Sequence, residues 1–191
     1  MTYKHLYDFA QTLRPKISRR ELRIKTLELT SIPNIRHVIS SMDTSICRGM
    51  YLTPQNSLSP VVSALGNHVI VTARDQNYCW ERFVYVKELM HVFGSNDQAT
   101  DSGDKFETLL NELSAPTNEH SPQIQSEYES FWMALSVLCP ERDRLAYDKM
   151  RRNNEIDDYT IACNLKIPQH YVQRLFEPRY EPIIHTLLSR T

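Results

Sequence analysis

The stretch Trp80–Phe93, WERFVYVKELMHVF, decides how this chain is read. Phe83, Val86, Leu89, Met90 and Phe93 recur at three- and four-residue intervals, which predicts a helix with an apolar face. Gly94 follows as a natural C-cap. Lys87 and His91 stand four apart, so on a helix they share a face, with Glu88 next to the first of them.

Working outward, His68–Ala73 (HVIVTA) is short and rich in β-branched residues, which predicts a strand just before this helix. Residues 50–68, MYLTPQNSLSPVVSALGNH, carry two prolines and several turn formers and read as loop. Farther upstream, Leu6, Phe9 and Leu13, then Leu22, Leu27 and Leu29, predict two helices over 3–13 and 18–29, broken near Pro15. Ile35, Val38, Ile39 and Met42 read as a further helical segment. Downstream, Asp104 caps a short predicted helix to Leu113, a long helix runs from about 123 to 138 and stops at Pro140, and two helices fill 141–153 and 157–176. Helix dominates, with a small β contribution.

A zinc site written HExxH uses two histidines four apart on one helical face as ligands, and the adjoining glutamate to activate the bound water. Lys87-Glu88-Leu89-Met90-His91 keeps the glutamate and the second histidine, but Lys87 stands where the first histidine would be. ExxH alone is weak, because such pairs arise by chance. The plain alternative is a solvent-facing Lys87, with Glu88 and His91 unconnected to anything later in the chain.

The surroundings carry more. WERFVYVKELMHVF resembles the active-site helix of the ImmA/IrrE family of zinc metallopeptidases, RFTxAHELGHxxL, with Arg82, Phe83, Glu88, Leu89, His91 and Val92 in register. Residues 127–140, EYESFWMALSVLCP, resemble the family's third-ligand helix, ExxANxFAxxLLxP. Glu127 falls at the ligand, Val137-Leu138 at the paired aliphatics and Pro140 at the terminal proline, while Ser130, Phe131 and Met133 depart from the pattern. Glu127 follows His91 by 36 residues. YTIACNLKIPQHYVQRLF (159–176) resembles the segment closing these domains, with Ala162 and Leu165 on an AxxL pattern. The resemblance covers roughly 60–176.

It implies an α+β, mainly helical, zincin-like single domain with a small sheet. Residues 1–60 form a basic helical N-terminal part, 60–140 the metallopeptidase-like core and 141–191 a C-terminal helical part. It also implies Glu88 as the catalytic residue and His91 and Glu127 as metal ligands, with zinc as cofactor if the site functions. Lysine is ordinarily an ammonium with no acceptor, so only two ligands remain of the three that catalytic zinc generally has. Cys79, His68 and His120 are alternative ligands that no spacing rule selects. The expectation is a degenerate site that binds Zn²⁺ weakly or not at all and cuts no peptide. In place of a metal, the Lys87 ammonium is expected to reach the Glu127 carboxylate, with His91 on the same face.

The implied partner is a protein, such as a transcriptional or mobile-element regulator. The alternatives are an active zinc endopeptidase with altered ligation, and a DNA-binding regulator using 159–176 as a helix-turn-helix. The latter would be helped by Arg142, Arg144, Lys149, Arg151 and Arg152.

Composition sets bounds on these readings. The chain has 191 residues and a formal net charge of −1, so no global field points to nucleic acid or membrane. Residues 1–25 are nevertheless basic and 95–129 acidic. These read as solvated faces, or as a basic start that meets an acidic partner or the acidic segment itself. Cys47, Cys79, Cys139 and Cys163 form no CxxC pair and read as reduced thiols of a cytoplasmic protein. No signal-peptide core and no apolar run of membrane length is found.

Overall fold

The computed structural model describes residues 3–55, 59–95, 98 and 121–190. Its elements are α1 (Tyr3–Thr12), α2 (Arg19–Thr30), β1 (Ile35–Ser40), β2 (Gly49–Leu52), α3 (Pro60–Leu65), β3 (His68–Ala73) and α4 (Tyr78–Met90), which tightens into a 3₁₀ turn (His91–Phe93). Then follow α5 (Pro122–Leu138), α6 (Glu141–Arg152), α7 (Asp158–Leu165), a 3₁₀ helix (Gln169–Phe176) and α8 (Tyr180–Leu188). The architecture is α+β and mainly helical, with one three-stranded sheet of order β1-β3-β2.

β3 lies in the middle, parallel to β1 and antiparallel to β2. It is buried from Val69 to Ala73 because helix covers both faces of the sheet. Under α3, Val62 packs with Leu52, Val69 and Val71. On the other face lies α4, buried nearly all round its circumference, as a central helix must be. α4 packs in turn on α5, and the shared core extends from Tyr3 and Leu6 of α1 to Ile184 and Leu187 of α8. The Tyr3 hydroxyl ties α1 to α5 by donating to the Met133 carbonyl at 3.1 Å.

Local chemistry sets the helix starts. Ser18 and Glu21 close a capping box on α2, and Asn77, Ser121 and Asp157 cap α4, α5 and α7.

Several expectations are corrected. Residues 35–40 form strand β1: the helix-like spacing of Ile35, Val38 and Ile39 is overridden by their β-branching and by pairing with β3. The N-terminal 60 residues are therefore not helical throughout. Residues 50–68 hold β2 and α3 rather than only loop; Ser59 caps α3, Pro60 opens it, and Gly66 ends it at φ 60°. Residues 157–176 are not one helix. Lys166 turns left-handed at φ 56°, and the second half is 3₁₀. Gly94 caps the 3₁₀ turn from ordinary backbone at φ −75°, so no glycine-specific conformation is used there. The short helix expected over 104–113 lies outside the described residues, as do His120 and much of the acidic segment. Among described residues the basic start finds other partners, notably Arg19 with Glu81.

Candidate functional site

Two helices build the site. α4 and its 3₁₀ turn contribute Lys87, Glu88 and His91; the second turn of α5 contributes Ser126 and Glu127, and Ser130 follows one turn on. The helical period places Lys87 and His91 on one face of α4, and the packing of α5 brings Glu127 against both. Strand β2 closes the third side. A side chain on Gly49 would run into Val84 and come within 3.2 Å of the Glu88 Cγ, so glycine lets the strand lie on the helix here.

The Lys87 ammonium bridges two carboxylates. It donates to Glu88 Oε1 at 2.9 Å and pairs with Glu127 Oε2. The Lys87–Glu127 contact is the one expected from the sequence. His91 Nε2 lies 3.3 Å from Glu127 Oε1 and 3.5 Å from Glu88 Oε2. It is buried and makes no well-aligned hydrogen bond. The other ring nitrogen, Nδ1, shares hydrogen bonds with Ser126 Oγ at 3.0 Å and Ser130 Oγ at 3.3 Å. Tyr51 of β2 lies nearly parallel to the imidazole, with ring centroids 6.4 Å apart, and its hydroxyl bonds His68 Nδ1 at 2.5 Å.

Burial differs across the cluster: the Glu88 side chain is 2 % exposed, Lys87 18 % and Glu127 29 %. Burial alone would lower the Lys87 pKa and raise that of Glu127, but the charges win. The carboxylates of Glu127 and Glu88 hold the ammonium above its ordinary range, and Lys87 and His91 hold the Glu127 carboxyl below its own. At neutral pH the lysine is a cation and neither a base nor a ligand. Burial, then the charge of Glu88, pushes the nearby Cys47 thiol up.

A resident Zn²⁺ of the kind the resemblance implies does not fit this donor set. Glu127 and His91 Nε2 could ligate, but the third position is filled by an ammonium lying between the carboxylates. Among the described residues no group of three or more His, Cys, Asp or Glu is arranged to hold a metal.

The other candidates stand apart. Cys79 sits in the first turn of α4, eight residues or roughly 12 Å of helix rise before Lys87. His68 is engaged by Tyr51, one ring removed from His91. All four cysteines are free. Around the expected helix-turn-helix, Val172 and Leu175 are buried. Most of the neighbouring arginines have acidic partners: Arg142 with Asp143, Arg144 with Glu141 and Glu181, Arg151 with Asp158, and Arg152 with Asp148.

Sequence reasoning missed Tyr51, Ser126 and Ser130. The serines carry a usable signal, being four apart on a helix and flanking Glu127, although in the family pattern Ser130 reads only as a departure. Tyr51 carried none, since its stretch read as loop. No helix among the described residues is long and apolar enough to cross a membrane. Searches against protein-family models, curated proteins and solved structures find no match to this chain.

Proposed function

We propose that this chain is a degenerate metallopeptidase-fold protein of the ImmA/IrrE type, in which an internal lysine cation takes the place of the metal and the domain acts by binding a protein. The observation that carries the reading is the Lys87 ammonium held between Glu88 and Glu127, with His91 Nε2 facing the same two carboxylates. Two carboxylates and an imidazole converge from two helices, and the fixed ammonium among them offsets one of the two negative charges and occupies the space a ligated cation would need. The sequence register of Arg82 to Val92 and of Glu127 to Pro140 supports the family reading. On this reading the protein is cytoplasmic, its partner is a transcriptional or mobile-element regulator, and Glu88 performs no hydrolysis. The acidic partners of the α6 arginines weigh against the DNA-binding alternative.

The test is metal content and peptidase activity of protein purified without added zinc or chelator. The expected result is far less than one zinc per chain and no cleavage of a casein substrate. Stoichiometric zinc overturns the reading in favour of an active endopeptidase with altered ligation. Lys87→His supplies the missing ligand and should raise zinc affinity at least about tenfold, or about 1.4 kcal/mol. Unchanged affinity would mean that His91 and Glu127 are not placed as ligands.

A further inference from the structure

Beside the Lys87 cluster, three segments distant in sequence meet in one wall. They are Arg48 from the run before β2, Trp80 from the first turn of α4, and His170, Tyr171 and Arg174 from the 3₁₀ helix. The Arg48 guanidinium carbon lies 4.1 Å from the Trp80 ring centroid. Trp80 in turn lies 5.0 Å from His170 and 5.5 Å from Tyr171, and those two rings are 4.1 Å apart. Tyr171 also packs on Phe83 at 4.7 Å and Phe131 at 4.9 Å, which anchors the wall to α4 and α5.

The wall has an excess of positive charge. Among the described residues the Arg48 guanidinium makes no ion pair and no hydrogen bond; its contact is with the face of the indole. A cation–π contact of this kind holds the guanidinium by its face, and its N–H donors have no acceptor among the described residues. The Arg48 main chain is held, its carbonyl accepting from the Ala73 N–H at 2.9 Å. Burial lowers the His170 pKa, and Arg48 and Arg174 push it the same way. Lys87, Arg48 and Arg174 all act on the half-buried Tyr171 phenol, which places the wall within the electrostatic reach of the lysine site. Arg174 is balanced by Glu177 at 2.6 Å.

We infer that the Arg48–Trp80–His170 wall docks an acidic peptide segment of the partner, one carboxylate meeting Arg48 and an adjoining apolar side chain meeting Trp80 and Tyr171. This rests on the protein-binding reading above and names the chemistry of the partner. An arginine held on an aromatic face with no acidic partner among the described residues suits bidentate carboxylate recognition. A nucleic acid fits less well. A phosphate backbone needs a track of unpaired cations, whereas past His170 the surface continues into a concavity bordered by Gln169, Gln173 and the acidic Asp158.

The experiment uses the full chain and three fluorescein-labelled probes read by anisotropy: an alternating Glu–Phe octapeptide, its Lys–Phe counterpart, and an eight-nucleotide oligothymidylate. The Glu–Phe peptide should bind best, and more weakly as salt is raised from about 50 to about 300 mM. It should also change the fluorescence of Trp80, since Trp132, the other tryptophan, is buried. Arg48→Glu should weaken binding at least about tenfold, with an unchanged urea midpoint. His170→Glu, at an exposed position, should weaken it in the same direction and serves if Arg48→Glu does not fold. Absence of Glu–Phe binding, equal binding of Lys–Phe, tighter binding of oligothymidylate, or indifference to both substitutions overturns the inference. Any of these outcomes with zinc still absent leaves the Lys87 reading standing. Stoichiometric zinc overturns that reading while the peptide measurement is judged separately.

Discussion

Two cations on the same helix, five residues apart, meet opposite fates. Arg82 is 2 % exposed and pairs with no carboxylate among the described residues. Its guanidinium is spent on backbone carbonyls: Leu165 at 2.8 Å and Lys166 at 3.0 Å at the end of α7, and Ile17 between α1 and α2. Burial lowers its pKa, but an arginine starts so high that it keeps its proton. Lys87 sits at the edge of the core and spends its charge on two carboxylates that leave His91 facing the same space. Arg82 is a staple, fixing loop ends that carry unpaired carbonyls. Lys87 is a plug, filling a place that side chains of opposite charge had made for a cation. Both residues fall within one stretch of α4, yet only the plug enters the proposed function.

The contrast can be broken first at Arg82. Arg82→Leu should remove about 4 kcal/mol of stability, because three carbonyls lose charged hydrogen bonds in a dry setting. Arg82→Lys should recover little, since an ammonium cannot span the three acceptors. Urea unfolding measures both, and a loss below about 1 kcal/mol would remove the staple.

Lys87→Met should cost less, about 2 kcal/mol, midway between the roughly 3–5 kcal/mol of breaking a closed pair and the roughly 0–1 kcal/mol of an open one. The 29 % exposure of Glu127 lets water screen it, while Glu88 at 2 % exposure loses its close cation. A cost near zero would mean that the pocket is effectively open.

A smaller effect is the pH dependence of that difference. The folded-state pKa of Glu127 lies below its ordinary 4.5, so its share of stability is present above pH 4.5 and lost as pH falls toward the folded value. For Lys87 the folded-state pKa lies above the ordinary 10.5, so its share is present below pH 10.5 and lost only at still higher pH. The stability gap between the wild type and Lys87→Met should therefore be flat from about pH 5 to about pH 10 and narrow by pH 3. A gap that widens in acid would contradict the pairing.

The smallest effect is expected at Arg19, whose pair with Glu81 joins α2 to α4 while the Arg19 side chain is 37 % exposed. Arg19→Ala should cost under about 1 kcal/mol in the same unfolding measurement. A larger loss would make this surface pair a second staple and blur the contrast.

The sequence by itself determined most helices, because 3.6-residue apolar spacing and side-chain caps are local properties. α1, α2, α4, α5 and α6 all lie close to where spacing predicts them. It also determined β3, whose β-branched run is buried on both faces, and it put Lys87, Glu88 and His91 on one helical turn by arithmetic alone. Tertiary structure decided what local pattern cannot carry. β1 became a strand because β3 offered it a parallel partner, although Ile35, Val38 and Ile39 are spaced like a helix face. The four residues of β2 are too few to show a period, and only pairing with β3 and the close approach at Gly49 define them. The site follows the same division. The order of residues put Lys87 one helical turn from His91, but only the packing of α5 on α4 brought Glu127 to its ammonium and Ser126 and Ser130 to His91. Contacts between residues 30 to 40 positions apart depend on helix crossing, which no local spacing records.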